Sequence, residues 1–259
     1  MKTVINASLL LFLMMLPSLV GAQKSITSTK YAWEEPRKEV APGIYSDVLF
    51  EGQAYDFEFL QMNATTIAGN TPARSFKVPS GEEHLILLKD GLLTISFNDS
   101  TWTIGKGSVA LMMPGTSYTL QNKSGEKSSF YVMKYRSKAD PDPERGNKSG
   151  GSIVKDWKKI PFHPHGRGGI RNYFDRSTAV AKRLEMHVTT LKEGIKSHEP
   201  HTHRAEELVI ILDNDTEMQI GNEFFRGSAG TIYFLGSNVP HAIQNIGTTP
   251  CVYFAFQFE

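Results

Sequence analysis

Glu206-Glu207-Leu208-Val209-Ile210-Ile211-Leu212-Asp213-Asn214-Asp215 is an apolar run that ends in turn-forming residues, and the chain contains it twice. The earlier copy is Glu82-Glu83-His84-Leu85-Ile86-Leu87-Leu88-Lys89-Asp90-Gly91, which matches position by position when Glu83 is set against Glu207. Downstream, Gly107 through Asn122 has the same length as Gly230 through Asn245. Two copies of one unit explain both matches. Within the first unit, strand-like runs such as 92–97 and 101–104 alternate with turns at Asn98-Asp99 and Gly105-Lys106-Gly107. No long stretch keeps a helical period. The expected fold class is therefore all-β, as two tandem double-sheet, jelly-roll barrels.

Just before the second run stand His201, His203 and Glu207, and later come His241 and Asn245. On a strand, alternate side chains share a face, so His201, His203 and Glu207 would point together. His241 must come from another strand, and a small barrel brings two such strands around one interior. Three imidazoles and a carboxylate outline a metal site. His198 and Glu206 are out of parity with His203 and Glu207 and are set aside as ligands. In the first unit the same alignment puts Lys77 and Pro79 at the places of His201 and His203, and Tyr118 at the place of His241. Neither an ammonium nor a proline ring coordinates a cation. That unit is expected to support packing without a metal, with His84 a packed or rim residue.

These residues resemble the two signature motifs of the cupin family. Gly194, His201, His203 and Glu207 fit the first, with Asp213-Asn214-Asp215 in place of its later glycine turn. Gly230, His241 and Asn245 fit the second, with Gly236 and Asn238 where proline and glycine are usual. The resemblance spans both halves, so the chain looks like a bicupin with double-stranded β-helix barrels, closest in look to the ureidoglycine aminohydrolase-like group. It implies that His201, His203, Glu207 and His241 hold one divalent transition ion. Mixed imidazole and carboxylate ligands suit Mn, Fe, Ni, Cu or Zn. Small cupins that open unsaturated uronate sugars carry ligands of this kind too.

The implied divisions are a signal peptide at 1–22, a first barrel at 23–135 with a degenerate motif, a linker at 136–152 and a second barrel at 153–259. The linker is polar and rich in Pro and Gly. Lys2 followed by the apolar stretch 9–16 and by Val20-Gly21-Ala22 resembles a secretory signal cut before Gln23. A secreted or periplasmic protein with no membrane contact after cleavage is expected. The single Cys251 excludes an internal disulfide and sits in an apolar final run, as a packed thiol would. Sequons at Asn63, Asn98, Asn122 and Asn147 matter only in a glycosylating host. A formal net charge of +1, with 40% apolar and 21% charged residues, is that of a globular protein without a field for nucleic acid.

Arg183, Glu185 and His187 share one face of the probable strand before the metal motif, either the barrel interior or the solvent side. If interior, Glu185 and His187 are candidates for proton transfer. The pair His163 and His165 lacks a carboxylate partner and reads as a loop entering the second barrel. The function expected is an exported metal-dependent enzyme acting on a small carboxylate- or carbonyl-bearing substrate, by Lewis-acid and acid/base chemistry of the hydrolase, isomerase or lyase kind. A cupin dioxygenase and a non-catalytic binding or storage bicupin are the alternatives. A homodimer is compatible with all three.

Overall fold

The structure is a computed structural model that describes residues 24–259. The signal-like segment 1–22 and its cut before Gln23 lie outside the described residues. Among those described, no helix is long and apolar enough to cross a membrane.

Four sheets form two barrels. In the first, a seven-stranded sheet runs in the spatial order Ile153–Lys155, Val109–Met112, Glu83–Asp90, Ser128–Ser137, Phe57–Ile67, Ile44–Gly52 and Glu39–Ala41. It shares a core with a four-stranded sheet of Thr71–Lys77, Ser117–Asn122, Leu92–Phe97 and Ser100–Gly105. In the second barrel, seven strands run in the order Thr29–Ala32, Thr231–Leu235, Glu206–Asp213, Cys251–Phe258, Leu184–Leu191, Gly168–Arg176 and His163–His165. Their partner sheet is Glu223–Gly227, Thr216–Ile220 and His241–Asn245. The barrels exchange strands: the N-terminal Thr29–Ala32 pairs with Thr231–Leu235 of the second, and Ile153–Lys155 pairs with Val109–Met112 of the first. Between the barrels, the segment after Ser137 carries a short helix, Pro143–Lys148, capped by Asp142.

The large sheets lie back to back, so each central strand serves two cores. Along Glu206–Asp213, Leu208 and Ile210 enter the cluster between the barrels, whereas Val209 and Ile211 enter the interior of the second. Along Glu83–Asp90, Leu85 and Leu87 face between the barrels while Ile86 and Leu88 face the first interior. Both sides are dry, which explains why these strands read as unbroken apolar runs rather than as alternating ones. Cys251 is fully buried in the second interior, and burial pushes its thiol up to about 11.

This alternation corrects the alignment of the two copies by one residue. Glu83 shares the inter-barrel face of Leu85, and so corresponds to Glu206; His84 shares the inward face of Ile86, and so corresponds to Glu207. Strand pairing agrees, since His84 stands opposite Lys134 and Met112 as Glu207 stands opposite Gln257 and Leu235. The spacing that relates His84 to Glu207 also relates Tyr118 to His241 and Asn122 to Asn245. Lys77 likewise gives way to Phe76, which pairs with Tyr118 as His201 pairs with His241; Pro79 lies in the connecting turn. In the first barrel, His84 is bonded through Nδ1 to the Tyr118 hydroxyl at 3.2 Å and through Nε2 to Glu82 Oε1 at 2.8 Å. Arg136 donates to the other Glu82 oxygen at 3.2 Å.

Both buried acidic clusters have measurable consequences. His84→Ala should cost about 1–3 kcal/mol, because the buried Glu82 carboxylate loses its nearest partner. Denaturant unfolding measures it, and an unchanged midpoint would show that the Glu82–His84–Tyr118 chain contributes nothing. Glu206 faces between the barrels, where its Oε2 accepts from the Tyr55 amide at 2.7 Å, and burial raises its pKa to about 7. A carboxyl raised on folding holds its proton longer in the folded state, so stability falls as pH rises from about 4.5 to about 7. A shift of that size corresponds to on the order of 3 kcal/mol. Glu206→Gln, which keeps an acceptor for Tyr55, should flatten the decline in melting temperature between those pH values; equal slopes in variant and parent would refute it.

Candidate metal centre

The strand that carries Glu207 begins at Glu206, and residues 202–205 belong to no strand, with a bend at 204–205. Strand parity therefore does not bring His201 and His203 together. Their loop folds back on the strand His241–Asn245 instead. The His201 and His241 amides each donate to the other's carbonyl, at 3.2 and 3.1 Å, and Asn238 N donates to His203 O at 2.8 Å. Asn214 and Asn238 both adopt left-handed conformations, with φ of 66° and 59°. Asparagine tolerates that region, so both turns form without the glycine usual there.

The outcome is convergence. One ring nitrogen from each of His201, His203 and His241 lies within 4.8 Å of the others. Glu207 Oε2 is 3.0 Å from His203 Nε2 and 3.5 Å from His241 Nε2. The backbone fixes which nitrogens face inward. His203 Nδ1 donates to Ala205 O at 2.7 Å, and His241 Nδ1 donates to Val239 O at 2.8 Å. A carbonyl accepts only from N–H, so both rings turn Nε2 toward Glu207, the orientation that outer bonds impose on metal-ligating imidazoles.

In a neutral ring that Nε2 carries a lone pair, which would face a carboxylate. The conflict is relieved by a proton or by a metal cation. Without a cation, the bond to Glu207 raises the His203 pKa against the effect of burial. Burial works against charge on Glu207 as well, but the bond to His203 and the nearby imidazoles of His203 and His241 outweigh it and hold the carboxyl near 2. His201 is lowered, first by burial and then by the neighbouring imidazoles. His241 Nε2 is buried without a hydrogen-bond partner of acceptable geometry, although Glu207 is near. An orphaned nitrogen, two further imidazoles and an ionised carboxylate fit a first-row divalent ion better than Mg or Ca, which take oxygen.

Glu185 and His187 lie on the inward face of Leu184–Leu191, opposite in parity to Met186 and Val188, which enter the inter-barrel core. His187 Nδ1 is bonded to Glu185 Oε1 at 2.8 Å. Gln257 pairs with Glu185 on one side and Glu207 on the other, so the three form a row across adjacent strands. Its amide nitrogen is 3.4 Å from both Glu207 Oε2 and His203 Nε2, and its oxygen accepts from Arg183 at 3.4 Å. Gln257 is not among the residues that sequence reasoning singles out; its signal is one polar residue on the inward parity of an otherwise apolar final strand.

A cavity of about 310 Å³ opens beside the cluster, with His187, His201, Glu207 and His241 in its wall. His198, set aside on parity, also lines it, its ring 4.2 Å from that of His201. The segment read as an entering loop forms a short hairpin, His163–His165 against Gly168–Arg176, and places His165 and Arg167 in the same wall. Cβ atoms at Gly168 and Gly169 would lie 2.0 Å from Thr190 O and 2.1 Å from the Phe162 ring, so glycines permit the tight return.

Comparison with known proteins bears on the fold that holds these residues. Residues 187–256 match the family model described as Cupin domain. Among curated proteins none matches the chain by sequence. Solved structures share its fold at low identity. AerE from Microcystis aeruginosa is 16% identical, with a TM-score of 0.67 over 88% of this chain and 98% of that one. Protein Ylba from E. coli is 16% identical, with 0.65 over 85% and 86%. Oxalate decarboxylase from Lactobacillus farciminis, in a formate complex, is 12% identical, with 0.66 over 90% and 87%. The second barrel thus contains a segment similar to a cupin domain, and the chain as a whole shares the fold of two tandem barrels with these structures.

Proposed function

We propose that the second barrel is a metal-dependent active site in which His201, His203, Glu207 and His241 hold one divalent transition ion. The observation that carries the reading is the inward pair of Nε2 atoms, fixed by Ala205 O and Val239 O and aimed at an ionised carboxylate beside an open cavity. Bound there, such an ion supplies Lewis acidity toward a carbonyl or carboxylate oxygen. The residues around it do the rest. With Nδ1 bonded to Glu185, His187 is oriented to take up and return a proton at Nε2, and Glu185 stabilises the imidazolium that forms. Val209, Met218 and Ile243 form an apolar wall that excludes water from part of the cavity. Gln257 holds the Glu207 carboxylate in place.

The substrate class follows from size and chemistry: a small molecule with a carboxylate or carbonyl group, turned over by hydrolysis, isomerisation or bond elimination. One structural neighbour is an oxalate decarboxylase crystallised with formate, so small carboxylates are the first compounds to assay. The Glu185–His187 pair favours an enzyme over a binding or storage protein, for which a proton-transfer group at the cavity has no use. We also propose export, on the signal-like residues 1–22.

Protein purified without added metal should contain one transition ion per chain by elemental analysis. His203→Ala and His241→Ala should lose it while circular dichroism stays unchanged, since each barrel has its own apolar core. Wild-type levels of metal in both variants would refute the ligand assignment. His187→Gln should keep the metal and lose turnover by about 10²–10⁴-fold, the usual contribution of a positioned acid or base; full activity would remove His187 from the mechanism. Sequencing of the mature N-terminus should begin near Gln23, and retained Met1 would contradict export.

A further inference from the structure

Arg167 and Glu207 are the two lining side chains of the second-barrel cavity with permanent charge. Glu207 is engaged with His203 and His241. Arg167 pairs with no carboxylate among the described residues, whereas Arg183, Arg204 and Arg226 of the second barrel do, with Asp175, Glu259 and Glu217. Its backbone is fixed: Arg167 O accepts from Lys192 N at 2.9 Å, and Gly166 O accepts from the Lys192 ammonium at 3.0 Å. Its side chain is anchored as well, because Nη1 donates to Ser197 O, a second residue of the cavity wall. That contact uses one of five guanidinium donors. The others make no hydrogen bond among the described residues. Beside it, Ser197 Oγ is a buried oxygen without a partner.

We propose that Arg167 binds the carboxylate of the substrate at the mouth of the cavity, so that the enzyme takes small monocarboxylates whose reacting carbonyl or hydroxyl carbon reaches inward toward His187. The proposal rests on the reading of this cavity as a substrate site and adds its specificity. A planar guanidinium with a free edge matches a carboxylate by two parallel hydrogen bonds, which a lysine in its place does not reproduce. The hairpin His163–Arg176 thus does more than close the barrel. It carries the group that selects charge, while the strands of the barrel carry the group that moves the proton.

The test compares binding of pyruvate with that of its uncharged amide, pyruvamide, by ligand-observed NMR, in the parent and in Arg167→Gln and Arg167→Lys. Metal content is measured in each preparation. The parent should bind pyruvate at least about tenfold more tightly than the amide, as expected for a charge-assisted bidentate contact. Arg167→Gln should abolish the preference with its metal content unchanged, and Arg167→Lys should retain part of it. A preference that survives in Arg167→Gln, or its absence in the parent, overturns the proposal. A parent that holds no metal yet keeps an Arg167-dependent preference upholds the carboxylate site and overturns the metal reading instead.

Discussion

The double duty of the central strands governs the rest of this protein. Each large sheet is covered on both faces, on one side by the opposite barrel and on the other by a small sheet. A strand in that position has no face to give to water, so any polar side chain on it must find a partner within the protein. Glu207 is such a residue on the inner face of the second barrel, and the half-buried Gln257, Glu185 and His187 continue from it as a connected row beside the cavity. On the opposite face, Glu206 and Glu83 meet backbone amides at Tyr55 and Val180, and Glu83 also accepts from the Tyr135 hydroxyl at 2.5 Å. The interface between the barrels is thus specified by buried polar contacts just as their interiors are. Exchange of Thr29–Ala32 and Ile153–Lys155 ties it further.

The same architecture treats equivalent positions in two ways. Where the second barrel has Glu207 and His241, the first has His84 and Tyr118, bonded to each other and backed by Glu82 and Arg136. The first set satisfies itself by hydrogen bonds. The second leaves His241 Nε2 buried with no partner of good geometry, next to an anion and a cavity. Buried unsatisfied nitrogens are rare because they are costly, so their persistence beside a carboxylate points to a ligand that completes them. A cation would do so, and the identity of the donors sets which cations are suitable.

The all-β fold was legible in the sequence because the repeat and the turn residues are local signals. The donors converging at the second barrel were legible too, although strand parity through His201–Glu207 is not what the fold uses to gather them. A bend at 204–205 and the single antiparallel bridge between His201 and His241 do that work. The alignment of the two copies slipped by one residue because Glu82-Glu83 and Glu206-Glu207 are identical dipeptides, and only Glu207 of the four lies on an inward-facing strand position. Composition cannot tell which face of a doubly buried strand is which, since both are apolar. Arg167 and Gln257 were missed, and His165 was read only as part of a loop entering the second barrel, for a related reason: they reach the cavity from a hairpin and a final strand, and no spacing rule links them to the histidines.

The most direct test of a metal centre in the second barrel is a crystal structure of protein purified without added metal, with anomalous diffraction measured at transition-metal absorption edges. The account predicts a single ion within about 2.0–2.2 Å of imidazole nitrogens from His201, His203 and His241 and of a Glu207 oxygen, with the cavity side of its shell open. No anomalous peak at these residues, a peak beside His84 and Tyr118, or a shell closed entirely by protein groups would contradict it.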